Sequence, residues 1–438
     1  MEPFALSAAE AARLIRDRQL SAEELVRSCL SRIAARDAEV KAWLFLDPDL
    51  AIRRARELDK LPPKGPLHGI PFGVKDVIDT ADMPTTQNSP IYPDAMIGRD
   101  AACVAVARQS GALILGKTDT VEFASGGRKA LTRNPFNLKH TPGGSSSGSG
   151  AAVGDFQVPL AFGTQTAGSH IRPASFNNLY GMKPSWSLAS REGLRMSAAS
   201  LDTVGWFGRS VADMALVAEA FRLPGLDAPA VGVKGLRVGL CRSPVWDRIE
   251  PAGAAALEAA ARRLEAAGAI VEPLELPADF AGLPAARDLI GRHEGAASFL
   301  PEYLGAPHLL AADIRERVEA RAAQDPAAVL AAYNLADRCR PVFDALFGPK
   351  LDVVLTPAAP GEAPEGLHTV GNWIFNVIWT LLHVPCIGIP AIRGPRGLPV
   401  GVQIVGPRLS DGKLLAIAAA VAPVIDSEPD WARKALLG

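Results

Sequence analysis

The chain has 438 residues, 48% hydrophobic and 21% charged, a balance that fits a soluble globular protein with a large core and leaves little room for extended disorder. Lysine and arginine number 46 against 47 aspartates and glutamates, so the formal charge is −1 and no basic field exists to hold a phosphate backbone. Nucleic acid is therefore excluded as the main substrate class, and a small molecule is expected instead.

In chain order, the first 40 residues predict two helices. Ser7 with Glu10, and Ser21 with Glu24, each match a capping box, and leucines and isoleucines follow at helical spacing. This acid-bearing start lacks the apolar stretch of a signal peptide, and no run of about 18 uncharged apolar residues follows anywhere, so no membrane span is expected. After the proline-rich turn LPPKGP comes HGIPFGVKDVID, a short apolar run ending at Lys75 and Asp76. DAACVAVARQSG predicts a helix and ALILGKT a buried strand. The one low-complexity stretch, TPGGSSSGSG (141–150), leads into the small-residue helix start AAVG, and VPLAFGTQTAGS predicts a strand feeding a tight turn. LRVGL (236–240), an alanine-rich helix from about Pro251 to Ala267, and AIVEPLEL (269–276) alternate strand, helix, strand. DVVLTPAAP (352–360) and CIGIPAI (386–392) are further buried strands. The alternation predicts an α/β fold: one large domain with a mixed, twisted central sheet covered by helices on both faces. Five cysteines (Cys29, Cys103, Cys241, Cys339, Cys386) lie far apart with no CxxC pair, which argues against a disulfide framework or a thiolate zinc site and predicts a reducing, cytoplasmic setting.

Three segments carry chemistry. Gly143 to Gly150 contains only glycine and serine. A flexible linker is one reading of such a run, but structured sequence on both sides favours a turn that presents hydroxyls at a helix N-terminus. There, free backbone N–H groups are suited to negative charge. The second segment, GTQTAGSHIRPAS, crowds small residues around Ser169, as an oxyanion hole requires, although ordinary turns also use small residues. The third is Lys75, at the end of an apolar run. A lysine there either snorkels to solvent or stays desolvated, in which case its pKa falls and it serves as a neutral base.

Taken in this order, the three segments resemble the amidase signature family. GGSSSGSGAAV is similar to the family's Gly-Gly-Ser-Ser-Gly-Gly-Ser core, and GTQTAGSHIRPAS to its Gly-Thr-Asp-x-Gly-Gly-Ser segment. The 24-residue separation of Ser145 and Ser169, and the GIPFGVKD block holding Lys75 with MPTT after it, also match. GALILGKTDTVEFA, TRNPFN, LDTVGWFGRSVADMA, DVVLTPAAP and GLPVGVQIVGP extend the likeness over most of the chain. The resemblance implies a single amidase domain over residues 1–438, with N-terminal helices to about residue 60, a catalytic core over about 61–225 and a C-terminal part from about 226. It implies Ser169 as the nucleophile, Ser145 as a proton relay after a cis peptide bond from Gly144, and Lys75 as the terminal base. The N–H groups of Thr166, Ala167, Gly168 and Ser169 would hold the oxyanion. Neither cofactor nor metal is implied. The SxIRPAS form, with Arg172 three residues after Ser169, is similar to the malonamidase branch and suggests a carboxylate-bearing half-amide such as malonamate as substrate.

The sequence departs from the family pattern at three positions. Ala167 stands where glycine is commoner, which is costly if that position needs φ > 0. His170 replaces the usual Ile or Val and either lines the pocket as a substrate contact or points into packing, and Gln165 replaces a frequent aspartate. Ser146, which departs from nothing, is a further candidate substrate contact. Arg172 either clamps a substrate carboxylate or forms a structural ion pair. The pocket walls are expected from the segments around Gly126 to Leu131, the 280–345 helices and Asn372 to His383. Gly111 to Thr118 satisfies the phosphate-loop pattern, yet its inner residues read as a buried strand, so no anion cradle is expected. The GxSxG match at Gly144 to Gly148 lacks the preceding apolar strand of a hydrolase elbow. Two functions stay open: a free-standing amidase, compatible with a homodimer, and the amidase component of a transamidation complex. Carbamates, aryl amides and urea derivatives are open as substrates.

Overall fold

Both N-terminal capping boxes close. Ser7 Oγ accepts the Glu10 N–H at 3.2 Å while the Glu10 carboxylate takes the Ser7 N–H at 2.8 Å, and Ser21 with Glu24 repeats this at 3.0 and 2.8 Å. Helices Ala8–Arg16 and Ala22–Val40 follow, as their caps require. The computed structural model describes residues 2–438.

The strands are β1 (Trp43–Leu46), β2 (Pro71–Lys75), β3 (Leu113–Thr118), β4 (Leu160–Gln165), β5 (Tyr180–Lys183), β6 (Thr203–Gly208), β7 (Arg237–Leu240), β8 (Ile270–Pro273), β9 (Val353–Pro357), β10 (Cys386–Arg393) and β11 (Pro399–Val405). They form one mixed sheet in the order β1-β3-β2-β4-β6-β5-β10-β11-β9-β7-β8. Parallel pairing joins β2 to β3 and β4, and β7 to β8 and β9; the other neighbours are antiparallel. Helices flank the sheet, giving a single α/β domain. The central strands β2, β3, β4 and β6 are buried at every residue, which explains their continuous apolar runs. Strand β8 stops at Pro273, short of the expected 276; it is an edge strand, and its last bond to β7 is the Leu274 N–H donated to Leu240 O at 3.0 Å.

Two features of this sheet position the site. Strands β2 and β4 are parallel neighbours, with Val74 opposite Phe162, so their C-terminal ends emerge side by side. Lys75 ends β2, and the turn carrying Ser169 follows β4. Open α/β sheets place ligands at such carboxyl ends. Helices Leu283–Ser298, Ala312–Glu319 and Pro326–Asp344 pack together beyond this edge, and the first and last contribute Leu283, Ile290 and Phe343 to a core with Trp379 and Ala167.

Candidate active site

The Gly/Ser run is buried throughout, not a linker. Its helix, Ser147–Gly154, consists of small residues because its surroundings leave no space: a Cβ on Gly148 would overlap the Ala42 carbonyl oxygen and the Asp119 backbone. Three of its four serines are consumed structurally. Ser146 Oγ donates to Thr164 O at 3.2 Å and accepts the Thr164 N–H at 3.1 Å. Ser147 Oγ donates to Gly143 O at 2.8 Å, and Ser149 Oγ to Phe162 O at 2.8 Å. Ser145 is the serine left for chemistry, and a cis peptide bond joins it to Gly144. At the helix N-terminus expected to face an anion, the Gly148 N–H is taken, donating to Asp119 O at 2.9 Å.

Lys75 is completely buried, and its Nζ lies 2.7 Å from both Ser145 Oγ and Thr164 Oγ1. Burial holds its pKa well below the usual lysine value; Arg172 pushes in the same direction, and Asp202 opposes both. The two other fully buried lysines show what a structural role looks like. Lys117, inside the phosphate-loop lookalike, pairs with Asp76 at 2.9 Å within strand β3, so no phosphate cradle exists there. Lys183 donates to the carbonyls of Pro184 and Val384. Lys75 alone of the three meets hydroxyls without a carboxylate.

A cavity of about 340 Å³ opens in front of Ser145. Ser145, Ser169, Thr166, Ala167 and Arg172 line it, with walls from Ala124 to Lys129, from Arg287 to Arg292, from Asp313 and Arg317, and from Trp373. These are the three segments expected from the sequence. Among the described residues, no hydrogen bond joins the Ser145 and Ser169 side chains; they meet as neighbours on the cavity wall. No residue from Gln157 to Asn177 takes a positive φ, so Ala167 fits its turn without strain. Gly168 is needed for space, because a Cβ would collide with the Asn376 side chain. No cluster of candidate metal ligands occurs among the described residues.

The family model for Amidase matches residues 24–415. The chain belongs to the amidase family. Among curated relatives, a glutamyl-tRNA(Gln) amidotransferase component of Symbiobacterium thermophilum is 33% identical, covering 94% of this amidase and 95% of the relative. Among solved structures, the native peptide amidase of Stenotrophomonas maltophilia superposes with a TM-score of 0.80 at 28% identity, covering 96% of this chain and 97% of that one. The corresponding glutamyl-tRNA(Gln) amidotransferase component of Thermotoga maritima also gives 0.80, at 27% identity over 97% and 95% of the two chains. These relatives lend no support to a particular likeness to malonamidase.

Two expected substrate contacts of the amidase require correction. Ser146 is bonded to strand β4, as described above, and does not line the cavity. His170 is completely buried beneath the turn, its ring 3.9 Å from that of Phe207 and its Nε2 2.9 Å from Trp206 O. Facing a carbonyl, Nε2 carries the proton, and burial lowers the imidazole pKa to about 3. Folding therefore excludes a proton that the unfolded chain binds below pH about 6.5, and the stability His170 leaves intact above that value is lost as pH falls toward 3. Replacing it in His170→Gln is expected to reduce the pH dependence of unfolding free energy in this window by about 1.4 kcal/mol per pH unit, one proton's worth. Urea melts of both proteins at several pH values measure the difference, and parallel slopes would contradict a neutral buried imidazole.

Arg172 follows neither simple expectation. It is buried, its Nη2 donates to Gly144 O, and its guanidinium sits 5.6 Å from the Trp373 ring centroid. No carboxylate pairs with it among the described residues, and its Nε and Nη1 have no partner. Burial pulls its pKa down to about 9, still protonated at neutral pH. Four residues around the site carry weaker sequence signals. Thr164 belongs to the GTQT segment but is overshadowed there by the serine; Asp202 sits in the LDTVGWFGRSVADMA block without standing out there as a site residue, and Arg287 and Thr380 come from distant segments with no motif to mark them.

Proposed function

We propose that this amidase cleaves a small amide through an acyl-enzyme on Ser169, with Ser145 as proton relay and Lys75 as base. The carrying observation is Lys75: a buried amine without a carboxylate partner, bonded to a hydroxyl that shares the cavity with Ser169. A serine hydroxyl is too weak an acid to ionise unaided, so a base must reach it, and a desolvated lysine is neutral enough to serve. Ser169 Oγ bonds to the amide carbon while its proton passes to Ser145, whose own proton passes to Lys75. The oxyanion is held by the N–H groups at 166–169. Collapse breaks the C–N bond, the departing amine takes the proton back through Ser145, and water then hydrolyses the ester by the same relay.

The cavity charge supports an anionic substrate. Lys129, Arg172, Arg287, Arg292 and Arg317 line it against Asp288 and Asp313. Asp288 is engaged by Arg287 at 3.1 Å, and Asp313 accepts the Gly127 N–H at 2.9 Å. Arg172 lines the cavity and its guanidinium has no carboxylate partner among the described residues, which supports a carboxylate on the substrate as its counter-ion. Malonamate itself has no support from the relatives, so the substrate class is the broader one of amides carrying a carboxylate. In Arg172→Met, KM for succinamate is expected to rise about 10- to 100-fold relative to KM for propionamide, matching a charge-assisted hydrogen bond of about 1.5–3 kcal/mol. An unchanged ratio between the two amides would remove the clamp.

A second reading is favoured by the relatives. Those named as amidotransferase components are by that name parts of a larger assembly, so this chain would release ammonia for a partner protein. Ammonia release by the purified chain separates the two. Turnover of half-amides by the chain alone supports a free-standing amidase. Turnover confined to glutamine, or reached only with a partner chain present, supports the transamidation role. The buried, unpaired state of all five cysteines supports a reducing compartment, and no described helix is long and apolar enough to cross a membrane.

A further inference from the structure

We propose that Arg287 is a positioning residue that aims the Ala167 N–H of the oxyanion site, an inference resting on the reading of Ser169 as nucleophile. In a trans peptide the C=O and the following N–H point to opposite sides, so whatever holds the carbonyl aims the N–H. Three successive carbonyls beside Ser169 are held from three directions. Thr166 O accepts from Arg287 Nε at 3.2 Å and Nη2 at 3.1 Å. Ala167 O accepts from Thr380 Oγ1 at 2.8 Å, and Gly168 O from the Arg172 N–H at 3.2 Å. The N–H groups of Ala167, Gly168 and Ser169 accordingly face away from these anchors, and none has an acceptor among the described residues. The next two N–H groups, of His170 and Ile171, are already taken by Gln165 Oε1 at 3.1 and 3.0 Å. The free donors therefore stop where the nucleophile sits.

The three anchors are unequal. Arg172 uses its own helix backbone, and Thr380 is fixed in the core, where its hydroxyl also accepts from Gln165 at 3.0 Å. Arg287 reaches the turn from the Leu283–Ser298 helix with a long side chain, and its third arm holds Asp288. The Thr166 hydroxyl is bonded to Asp202, but that bond fixes the side chain and leaves the Thr166–Ala167 peptide plane free to rotate. Arg287 fixes that plane with two donors. A flipped plane would turn a carbonyl oxygen toward the developing oxyanion, converting attraction into repulsion. The guanidinium also polarises the peptide, making the Ala167 N–H a stronger donor.

A fluorophosphonate reagent tests this without knowledge of the substrate. Ser169 Oγ bonds to phosphorus, fluoride leaves, the hydroxyl proton departs through Ser145, and the P=O oxygen takes the oxyanion position. In Arg287→Met the maximal labelling rate is expected to fall about 10²-fold, while the reagent concentration at half-maximal rate stays within about twofold and the melting temperature holds. Arg287→Lys, retaining a cationic donor, should recover part of the rate. A merely structural residue would lower stability or reagent affinity without this separation. Labelling of Arg287→Met at the wild-type maximal rate would overturn the inference alone, whereas absence of Ser169 labelling in the wild type would overturn the nucleophile reading and this inference with it. Should Arg287→Met fail to fold, Arg287→Gln, too short to span to Thr166 with two donors, carries the same comparison.

Discussion

Ser169→Ala is expected to lower amide turnover by about 10⁶-fold, the scale on which removing the nucleophile disables a serine hydrolase. The fold should not notice the change. The Ser169 hydroxyl makes no hydrogen bond among the described residues, the side chain is partly exposed on the cavity wall, and an alanine fits the same turn. Stability is therefore expected to stay within about 0.5 kcal/mol of the wild type, as for surface substitutions that break nothing. Because stability and activity separate, a lost rate reports chemistry. The comparison that matters is with Ser145→Ala. Lys75 bonds directly to Ser145, so a simpler dyad would make Ser145 the nucleophile and Ser169 a bystander. The two schemes differ in which hydroxyl carries the acyl group. Mass measurement of the trapped acyl-enzyme places it on the peptide containing Ser169 or on the one containing Ser145. Turnover surviving in Ser169→Ala but lost in Ser145→Ala would reverse the assignment.

The chemistry-bearing blocks are legible in the sequence because their function constrains their composition. The Gly/Ser run must be small where Gly148 presses on Ala42, and Lys75 must end an apolar strand to be desolvated there. The caps at Ser7 and Ser21 and the apolar β2, β3 and β4 follow from local rules alone. Strands β5, β6 and β11 escape a reading of this kind: buried at every residue, they show no alternation, and YGMK, TVGWFG and PVGVQIV hold no more than two consecutive apolar residues, where β3 and β4 carry the longer runs LIL and LAF. The contacts of His170 and Ser146 are equally hidden. Each sits beside a catalytic candidate in sequence, but the turn and helix they belong to rotate their side chains into the sheet, a geometry that spacing alone does not carry. Arg287 and Thr380 lie more than a hundred residues beyond Ser169, and only the folded chain shows them holding its turn.

Lys75→Met tests the base in two independent measurements with opposite signs. Turnover is expected to fall about 10²–10⁴-fold, the contribution of a positioned general base. In the wild type the rate should rise with pH and level off as the Lys75–Ser145 unit loses its proton, at a pH below the ordinary lysine value because burial disfavours the ammonium. In Lys75→Met that inflection should vanish, leaving a rate that climbs in proportion to hydroxide. Stability should move the other way. At neutral pH the unfolded chain protonates Lys75 near its free pKa of about 10.4 while the folded chain holds it depressed, so folding works against proton binding and stability rises with pH until the unfolded lysine also deprotonates. Methionine fills much of the same volume and carries no such penalty, so Lys75→Met is expected to melt at a higher temperature than the wild type and to lose that part of its pH dependence. A site selected for catalysis often gives up stability in this way. If the variant instead melted lower and kept the wild-type pH–rate inflection, Lys75 would be a charged structural partner of the two hydroxyls, and the base would have to be sought among other groups around the cavity.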